Sequence, residues 1–448
     1  RGTGGGPRDD EADETAAALE ALWQLPGGQG CVPWRPCACP VDKPLGRALG
    51  QVQTGLREWR ELVSRCRTPP RPGTCINLGA LKGSAVPDED LVETYCWHPA
   101  GAGAVRVASS SGAVEFSAPP HSGFVLGDLC FPKDPGRNPC WQALLWHVAR
   151  SSPGLGGYRH ILVDPPWPSK SVRRAKAYRT LQGGVGRAAV SEAPWRGGEV
   201  LKSFPLRELA PRGDGKEGGL ALVAVWVTND RSVREFVRNE LLPSWGALVL
   251  GDGFWLKVAL DGRPVLPLSS SPRRPFERFI LGLFPGKDLA REWAVHGKPR
   301  FTCSPTQRAT SPSHSGPGRE AEHRISSPVV IEPPLLHSWK PDIRPALDHV
   351  EAQVRQVLGL RPRVDSLDSA EAAPDTLDIF GRALAPGIVT VGNEAFLLRM
   401  PPVMCSGVQP ESRSSSGDGS GKKNTPASTM AKVFRQRKTG AGAETETE

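Results

Sequence analysis

The stretch Ile161-Leu162-Val163-Asp164-Pro165-Pro166-Trp167 joins a short apolar run to an acidic residue, two prolines and a tryptophan. The apolar run is typical of a buried strand, and the prolines end it because proline has no N–H to donate to a sheet. In open α/β sheets, ligands bind beyond the carboxyl ends of the strands. The stretch therefore predicts a sheet edge at which the Asp164 side chain meets a ligand.

Similar apolar runs lie on both sides of this stretch and alternate with helical patterns. Apolar residues at helical spacing predict helices over residues 51–67, 230–242 and 344–358, and a weaker pattern predicts one over 13–25. The predicted strands are 124–126, 161–163, 220–227, 247–250, 254–259, 279–284, 329–331, 376–380 and 388–391. Short strands that alternate with helices predict an α/β layered domain with a mostly parallel sheet.

Composition separates this domain, placed at residues 111–400, from the rest of the chain. Residues 1–110 are predicted to be a partly disordered N-terminal region with accessory helices and strands, and residues 401–448 a disordered basic tail. Stretches rich in Gly, Ala, Pro or Ser near 183–199 and 303–327 are interpreted as insertions. Because the first residue is arginine, we expect a fragment in which a targeting signal would not be seen.

The residue types after the predicted strand suit the methylation of an exocyclic amine. The carboxylate of Asp164 and the carbonyl of Pro165 can each accept one N–H of the amine and stabilise positive charge that develops on it. Pro166 stiffens the loop, and Trp167 offers a flat face for base stacking, worth roughly 1–3 kcal/mol. The alternative is a stiff turn with a buried tryptophan.

No metal is required for this chemistry, and no metal site is predicted. The closest cysteines, Cys31, Cys37 and Cys39, lack a second pair of cysteines or histidines at zinc-binding spacing. No apolar run reaches the ~18 residues that span a bilayer, so no membrane partner is predicted.

Positive charge is concentrated directly after the motif. The chain has a formal net charge of +9, and Lys170, Arg173 and Arg174 cluster in the segment that follows Trp167. Such a cluster favours a polyanionic partner because each neutralised phosphate releases counterions. A solvated basic surface without a partner remains the alternative.

Together these motifs resemble the MT-A70 family of adenine-N6 methyltransferases, and within it the methyltransferase-like protein 4 branch. The basic segment Lys170-Ser171-Val172-Arg173-Arg174 with Tyr178 is the most specific match. Further matches, in family order, are Trp226-Val227-Thr228-Asn229, Leu242-Pro243-Ser244-Trp245, Trp255-Leu256-Lys257, Arg273-Arg274-Pro275-Phe276-Glu277, Leu336-His337-Ser338-Trp339-Lys340-Pro341, Leu377-Asp378-Ile379-Phe380-Gly381-Arg382 and Gly392-Asn393-Glu394. The resemblance covers roughly residues 120 to 400.

The resemblance implies a Rossmann-like class I methyltransferase fold that uses S-adenosylmethionine. Its motif order is permuted, the beta-class order, because the catalytic strand precedes the cofactor strand at 377–382. By resemblance, Asp164, Pro165, Pro166 and Trp167 are the catalytic residues, and Lys170, Arg173, Arg174 and Tyr178 bind nucleic acid. The residues implied to bind the cofactor are Asp128, Leu129, Asp164, Lys340, Asn393 and Glu394.

The resemblance assigns parts of the cofactor to these residues. Asp128 and Leu129 are expected beside its adenine, Lys340 at its carboxylate, and Asn393 and Glu394 near its ribose and adenine. Asp164 is expected between its methionine part and the target amine. Taken alone, Lys340 would be a surface lysine and Asn393 a turn residue. Glu277 and Arg382 are candidates for structural ion pairs.

The sequence departs from the family after the turn at 380–382. Relatives carry polar residues there, whereas this chain has Ala383 and Ala385, so a contact with the cofactor is expected to be missing. Pro168 stands where the branch often has an acidic residue.

The expected activity is methyl transfer to the N6 amine of adenine in nucleic acid. RNA, including small nuclear RNA, is preferred over DNA, and a nuclear location over a cytosolic one. The alternative is a catalytically silent, nucleic-acid-binding partner of a methyltransferase complex. No protein partner is required by the sequence, which is compatible with a monomer.

Overall fold

The computed structural model describes most of the chain between residues 43 and 400. The described residues are 17, 19, 43–66, 74–81, 84–99, 103–129, 138–150, 157–168, 196–211, 219–259, 262–270, 273–304, 322–334, 339–363 and 374–400. They divide into two compact units. The first unit comprises Arg1–Pro40, Ser152–Ser169 and Thr180–Leu367, and the second comprises Val41–Ser151, Lys170–Arg179 and Asp368–Glu448.

The described residues form both helices and strands. In chain order they are α1 (Lys43–Cys66), β1 (Cys75–Asn77), β2 (Tyr95–His98), β3 (Val105–Ala108), β4 (Glu115–Ala118), β5 (Ser122–Leu126), α2 (Pro139–Arg150), β6 (His160–Val163), α3 (Arg196–Lys202), α4 (Leu206–Leu209), β7 (Ala221–Val227), α5 (Arg231–Phe236), α6 (Leu242–Ser244), β8 (Leu248–Lys257), β9 (Phe276–Phe284), α7 (Lys287–His296), β10 (Arg300–Ser304), β11 (Glu322–Ser326), β12 (Val329–Glu332), α8 (Arg344–Val357), β13 (Thr376–Ile379) and β14 (Ile388–Gly392). A π-helical turn, Val237–Leu241, connects α5 to α6. The predicted α/β, Rossmann-like class is confirmed.

In the first unit, five sheet strands follow the order β6-β7-β9-β8-β12. β6 is parallel to β7, and β12 is parallel to β8. β9 runs antiparallel to both of its neighbours, so the sheet is mixed here. All seven residues of β7 are buried, as expected for a strand that is covered on both faces.

In the second unit, the order is β1-β2-β5-β14-β13. β5 lies parallel to β14 although more than half of the chain separates them, and β14 lies parallel to β13. Strands from the end of the domain thus pair with a strand that begins at residue 122, the topology that a permuted motif order requires. β2 is antiparallel to β5.

Helix α1 belongs to the core of the second unit. Leu56 and Trp59 are fully buried and share an apolar cluster with Phe116, Phe124 and Phe396. The rings of Phe116 and Phe396 are stacked with centroids 4.0 Å apart. The boundary placed at residue 110 stays a prediction, but α1, β1 and β2 pack with the elements that follow it.

The predicted elements that lie within the described residues are confirmed with shifted ends. The helix expected over 51–67 begins earlier, at Lys43, and Leu62, one of its apolar residues, is exposed. The two strands expected over 247–250 and 254–259 are one strand, β8, with a bulge between Val249 and Gly251. Gly251 has φ 146°, and a Cβ atom there would lie 2.2 Å from that of Cys303. The glycine therefore bends β8 and lets β10 approach closely.

Several predictions fall mostly outside the described residues. These are the helix over 13–25, the three cysteines between 31 and 39, most of the insertion at 183–199, and the tail at 401–448. The insertion at 303–327 is described only at its two ends, which belong to β10 and β11 and pair in parallel. Among the described residues, no helix is long and apolar enough to span a bilayer. Nor do the described His, Cys, Asp and Glu side chains form a group of three suited to a metal.

Candidate active site

Asp164 lies where the sequence predicts it, directly after β6. The strand before it is buried, whereas the Asp164 side chain is 26% exposed. Because Val163 pairs in parallel with Val225, the end of β6 lies beside the last residues of β7. The buried strand holds the backbone of Asp164 in place and leaves its carboxylate accessible to a ligand.

The loop after Asp164 is fixed by two hydrogen bonds from Trp167. Its backbone N–H donates to the carbonyl oxygen of Pro165 at 2.7 Å. Its indole Nε1 donates to the carbonyl oxygen of Trp226, in β7, at 2.6 Å. The Pro165 carbonyl keeps a second lone pair, so it can still accept an amine N–H as predicted from the sequence.

Trp167 is largely covered by the protein. It is 5% exposed, and its ring meets that of Phe236 edge to face with centroids 6.4 Å apart. The stacking of a base on Trp167 stays a prediction. The contacts of Trp167 with Trp226 and Phe236 anchor the Asp-Pro-Pro-Trp loop to β7 and α5.

Replacing Trp167 with phenylalanine is expected to lower the free energy of unfolding by about 1–3 kcal/mol, because the buried carbonyl of Trp226 loses its donor. Urea denaturation of the wild type and the variant measures this difference. The matched control is Trp146→Phe in α2, since Trp146 is only partly buried. Equal stability of Trp167→Phe and the wild type would show that this hydrogen bond does not anchor the loop.

An alternating row of charges extends from Asp164. Lys340 Nζ lies 3.5 Å from Asp164 Oδ1 and 2.5 Å from Glu277 Oε2. The second oxygen of Glu277, Oε1, lies 2.5 Å from Lys257 Nζ. The ammonium of Lys340 also lies 4.7 Å from the ring centre of Trp226, a cation–π distance. We call these four charged residues (Asp164, Lys340, Glu277 and Lys257) the charge row.

Within the charge row, the opposite charges keep Glu277 and Lys340 ionised. Burial by itself raises the pKa of Glu277, but the ammonium groups of Lys340 and Lys257 outweigh it and lower this pKa from 4.5 to about 2. Burial likewise lowers the pKa of Lys340, but Asp164 and Glu277 outweigh it and raise this pKa above 10.5. Lys340 is therefore a permanent cation beside Asp164 at neutral pH. The structural ion pair considered for Glu277 is present.

In the second unit, two predicted pairs of cofactor residues lie at neighbouring strand ends. Asp128 and Leu129 follow β5, and Asn393 and Glu394 follow β14. β5 and β14 are parallel, and the N–H of Gly127 donates to the carbonyl oxygen of Gly392 at 3.2 Å. The structure thus brings these four residues to one sheet edge, and their contacts with a cofactor stay a prediction. Leu129 is buried, whereas Asp128 is partly exposed.

The side chains of Asn393 and Glu394 are held by residues that sequence reasoning did not identify. Arg60 Nη1 donates to Asn393 Oδ1 at 2.6 Å, and Gln53 Nε2 donates to Glu394 Oε1 at 2.7 Å. Both residues belong to α1. The sequence pattern showed only that α1 is amphipathic and gave no signal for these contacts. Glu394 also pairs with Arg382 at 2.9 Å, the structural ion pair considered for that arginine.

The turn after β13 uses a residue other than glycine in a left-handed conformation. Phe380 has φ 66°, and its N–H donates to the carbonyl oxygen of Val391 at 2.7 Å. A Cβ atom at Gly392 would lie 3.1 Å from the Cα of Phe380, so this close approach requires glycine on the β14 side. The carbonyl oxygen of Ala383 accepts a hydrogen bond from Thr390 Oγ1 at 3.0 Å. Ala383, one of the residues at which the sequence departs from the family, is thereby joined to β14.

The residues predicted to bind nucleic acid, Lys170, Arg173, Arg174 and Tyr178, lie outside the described residues. Their role stays a prediction. Of the other predicted site residues, Asp164, Pro165, Pro166, Trp167 and Lys340 lie together in the first unit, and Asp128, Leu129, Asn393 and Glu394 in the second.

Comparison with known proteins finds a family match for part of this site. The MT-A70 family model matches residues 158–298, which include β6, the Asp-Pro-Pro-Trp loop, β7 and Glu277. The chain contains an MT-A70 domain. The resemblance stated from the sequence is thereby confirmed. Lys340 and the residues at the ends of β5 and β14 lie outside the matched part of the MT-A70 domain.

Several curated proteins are similar to a larger part of the chain. The N(6)-adenine-specific methyltransferase METTL4 of Mus musculus is 26% identical over 280 residues, 62% of this chain and 43% of that protein. The N6-methyladenosine RNA methyltransferase MTA1 of Pyricularia oryzae is 30% identical over 166 residues, 36% of each chain. The DNA N6-methyl methyltransferase of Caenorhabditis elegans is 24% identical over 294 residues, 65% of this chain and 56% of that protein. The chain thus spans less than half of the length of the METTL4 relative.

Proposed function

We propose that this chain transfers a methyl group from S-adenosylmethionine to the N6 amine of adenine in nucleic acid. The observation that carries the proposal is the accessible Asp164 carboxylate, fixed at the end of β6 and beside the Lys340 ammonium. A carboxylate that accepts an N–H from the amine stabilises the positive charge that develops on nitrogen as the methyl is transferred. Three similar proteins are named an N(6)-adenine-specific methyltransferase, an N6-methyladenosine RNA methyltransferase and a DNA N6-methyl methyltransferase, and these names support this reaction.

Asp164 and Pro165 each accept one N–H of the target amine. The amine has two N–H groups, and the structure offers one carboxylate and one carbonyl with a spare lone pair. With both N–H groups held, the nitrogen lone pair is turned away from the two acceptors. Near-attack alignment of this kind can supply much of the acceleration when the leaving group is already a good one.

The described residues fit the chemistry of S-adenosylmethionine, which would supply the methyl group from its sulfonium. Lys340 is a permanent cation suited to the cofactor's carboxylate. Glu394 can accept from hydroxyl groups, and the Asn393 amide can donate to an acceptor. Asp128 at the neighbouring strand end is a further acceptor. Donors and acceptors are thus present for the carboxylate, ribose and adenine of the cofactor.

RNA is the preferred polymer in this proposal, with small nuclear RNA as the preferred kind. The names of the relatives include both an RNA and a DNA methyltransferase, so they do not decide between the two. An adenine in a duplex must be flipped out at a cost of a few kcal/mol, whereas an unpaired adenine in RNA avoids most of that cost.

The basic segment that follows Trp167 is proposed to bind the phosphates of the nucleic acid. Changing Lys170, Arg173 and Arg174 together to alanine is expected to lower RNA affinity and to make it less dependent on salt, because fewer counterions are released on binding. Fluorescence anisotropy with a labelled oligomer at several salt concentrations measures both quantities. The matched control changes Arg231 and Arg291, two exposed arginines of the first unit, to alanine. Unchanged affinity and salt dependence in the triple variant would remove the segment from the interface.

Nucleoside mass spectrometry after incubation with cofactor and matched RNA or DNA oligomers tests the proposed reaction. We expect N6-methyladenosine in the RNA to exceed N6-methyldeoxyadenosine in the DNA. The opposite ratio would overturn the RNA preference, and no methylated adenine in either polymer would overturn the reaction. Calorimetry then distinguishes the alternative: a catalytically silent, nucleic-acid-binding partner should bind the oligomers without binding the cofactor.

A further inference from the structure

We propose that helix α1 is part of the cofactor-binding apparatus, because Arg60 and Gln53 set the orientation of Asn393 and Glu394. This inference rests on the proposed function and concerns residues outside the part of the chain that matches the family model. Arg60 and Gln53 are positioning residues: they act through the two side chains at the end of β14.

Gln53 and Arg60 lie on the same face of α1. They are seven positions apart, which is about two turns of the helix. They contact two consecutive residues, Asn393 and Glu394, at 2.6 Å and 2.7 Å. The neighbouring apolar residues of α1, Leu56 and Trp59, are fully buried in the core and fix the helix against the unit.

The buried position of the Arg60 guanidinium destabilises the fold. The residue is 7% exposed, and its guanidinium donates to the uncharged amide of Asn393. Within the described part of the chain, no carboxylate lies at ion-pair distance from it. A buried guanidinium without a carboxylate partner destabilises a fold. The contact that this buried guanidinium makes is with a residue predicted to bind the cofactor, Asn393.

The contacts fix which atoms Asn393 and Glu394 present. A guanidinium has only donors, so Asn393 must turn its oxygen toward Arg60, and its NH2 group then faces away. A carboxylate has only acceptors, so the Gln53 amide must turn its nitrogen toward Glu394. These orientations follow from the partners' chemistry and not from the placement of the amide atoms alone.

The sheet edge therefore offers N–H donors at Asn393 next to an anionic acceptor at Glu394. A ligand that fits must bring an acceptor to the first and a donor to the second. Ribose hydroxyl groups and the adjacent ring nitrogen and amine of adenine both meet this requirement. The nucleoside part of the cofactor is the group that we assign to this edge.

Cofactor calorimetry on the full chain tests the role of Arg60. Methionine in Arg60→Met keeps the length of the side chain and removes its donors, so the Asn393 amide is free to turn over. We expect cofactor affinity to fall about tenfold, as the loss of one well-oriented hydrogen bond implies. Arg60→Lys keeps a donor-only side chain and should recover part of the affinity. Glu58→Ala, an exposed position on α1, is the matched control and should bind as the wild type does.

A double-mutant cycle separates positioning from general support of the fold. If Arg60 acts through Asn393, the Arg60→Met/Asn393→Ala double variant should bind the cofactor no more weakly than Asn393→Ala alone. Additive losses in the cycle, or wild-type affinity in Arg60→Met, would overturn the inference and leave the proposed function intact. A wild type that binds no cofactor would instead overturn the proposed function.

Gln53 gives a second route if Arg60→Met does not fold. Gln53 is only partly buried, so Gln53→Leu should fold while it removes the donor to Glu394. We expect a loss of cofactor affinity that is non-additive with Glu394→Ala. Wild-type affinity in Gln53→Leu would then count against the positioning role of α1.

Discussion

Asp164→Asn is expected to lower the rate of methyl transfer about a hundred- to a thousandfold, the loss seen when one preorganised electrostatic contact to a developing charge is removed. Asparagine keeps the size of the side chain but loses the negative charge. Its NH2 group is also a donor that cannot bond to the N–H of an amine. The rate of labelled methyl incorporation under single-turnover conditions measures the effect without a contribution from product release.

The variant should keep its fold, because Lys340 retains Glu277 as a partner at 2.5 Å when the Asp164 charge is removed. Thermal unfolding checks this point. Asp288→Asn, an acidic position on the exposed helix α7, is the matched control and should methylate at the wild-type rate. A wild-type rate in Asp164→Asn would remove Asp164 from the catalytic step.

Glu277→Gln is expected to have a large effect on stability. The change leaves the ammonium groups of Lys340 and Lys257 on either side of an uncharged amide, where both now lie at 2.5 Å from carboxylate oxygens. Because the three side chains are partly exposed, solvent screens part of the loss, and we expect the free energy of unfolding to fall by about 1–3 kcal/mol. Urea denaturation at neutral pH measures it.

The pH dependence of this difference identifies its cause. The pKa of Glu277 is lowered from 4.5 to about 2 by the two lysines, against the opposing effect of burial. A group whose folded-state pKa is lowered stabilises the fold above its unfolded pKa and loses that contribution as pH falls toward the folded value. The stability difference between wild type and Glu277→Gln should therefore be largest above pH 4.5 and shrink as pH approaches 2.

Glu292→Gln in α7 removes the same charge from an exposed position and is the matched control. Its stability should follow that of the wild type at every pH. A Glu277→Gln deficit that stays constant between pH 6 and 3 would show that lost packing, not the charge row, causes the effect.

Much of the fold, and the position of Asp164 at the end of a strand, could be predicted from the sequence. The apolar run before Asp164 and the prolines after it define a strand and its end with little ambiguity, because they act locally. The late strand at 388–391 was predicted as well, and its pairing with β5 follows once the permuted motif order is recognised. Local patterns and one family resemblance are sufficient for these features.

The contacts made across long sequence distances could not be predicted in this way. Arg60 and Asn393 are 333 positions apart, and nothing in an amphipathic helix reveals which of its polar residues points toward another element. The burial of Trp167 depends on the carbonyl of Trp226, a backbone atom that no residue pattern identifies. The close approach of Cys303 to Gly251 in β8 is another contact between residues far apart in the sequence. Each of these results from tertiary packing.

The most direct measurement of the central claim compares two RNA oligomers that differ in one exocyclic amine. One carries the target adenine, and the other carries purine without the N6 amine at the same position. Incubated with this chain and methyl-labelled S-adenosylmethionine, only the adenine oligomer should take up label, recovered as N6-methyladenosine. Equal labelling of both oligomers, or label at another atom of the adenine, would contradict a site that holds the N6 amine at Asp164.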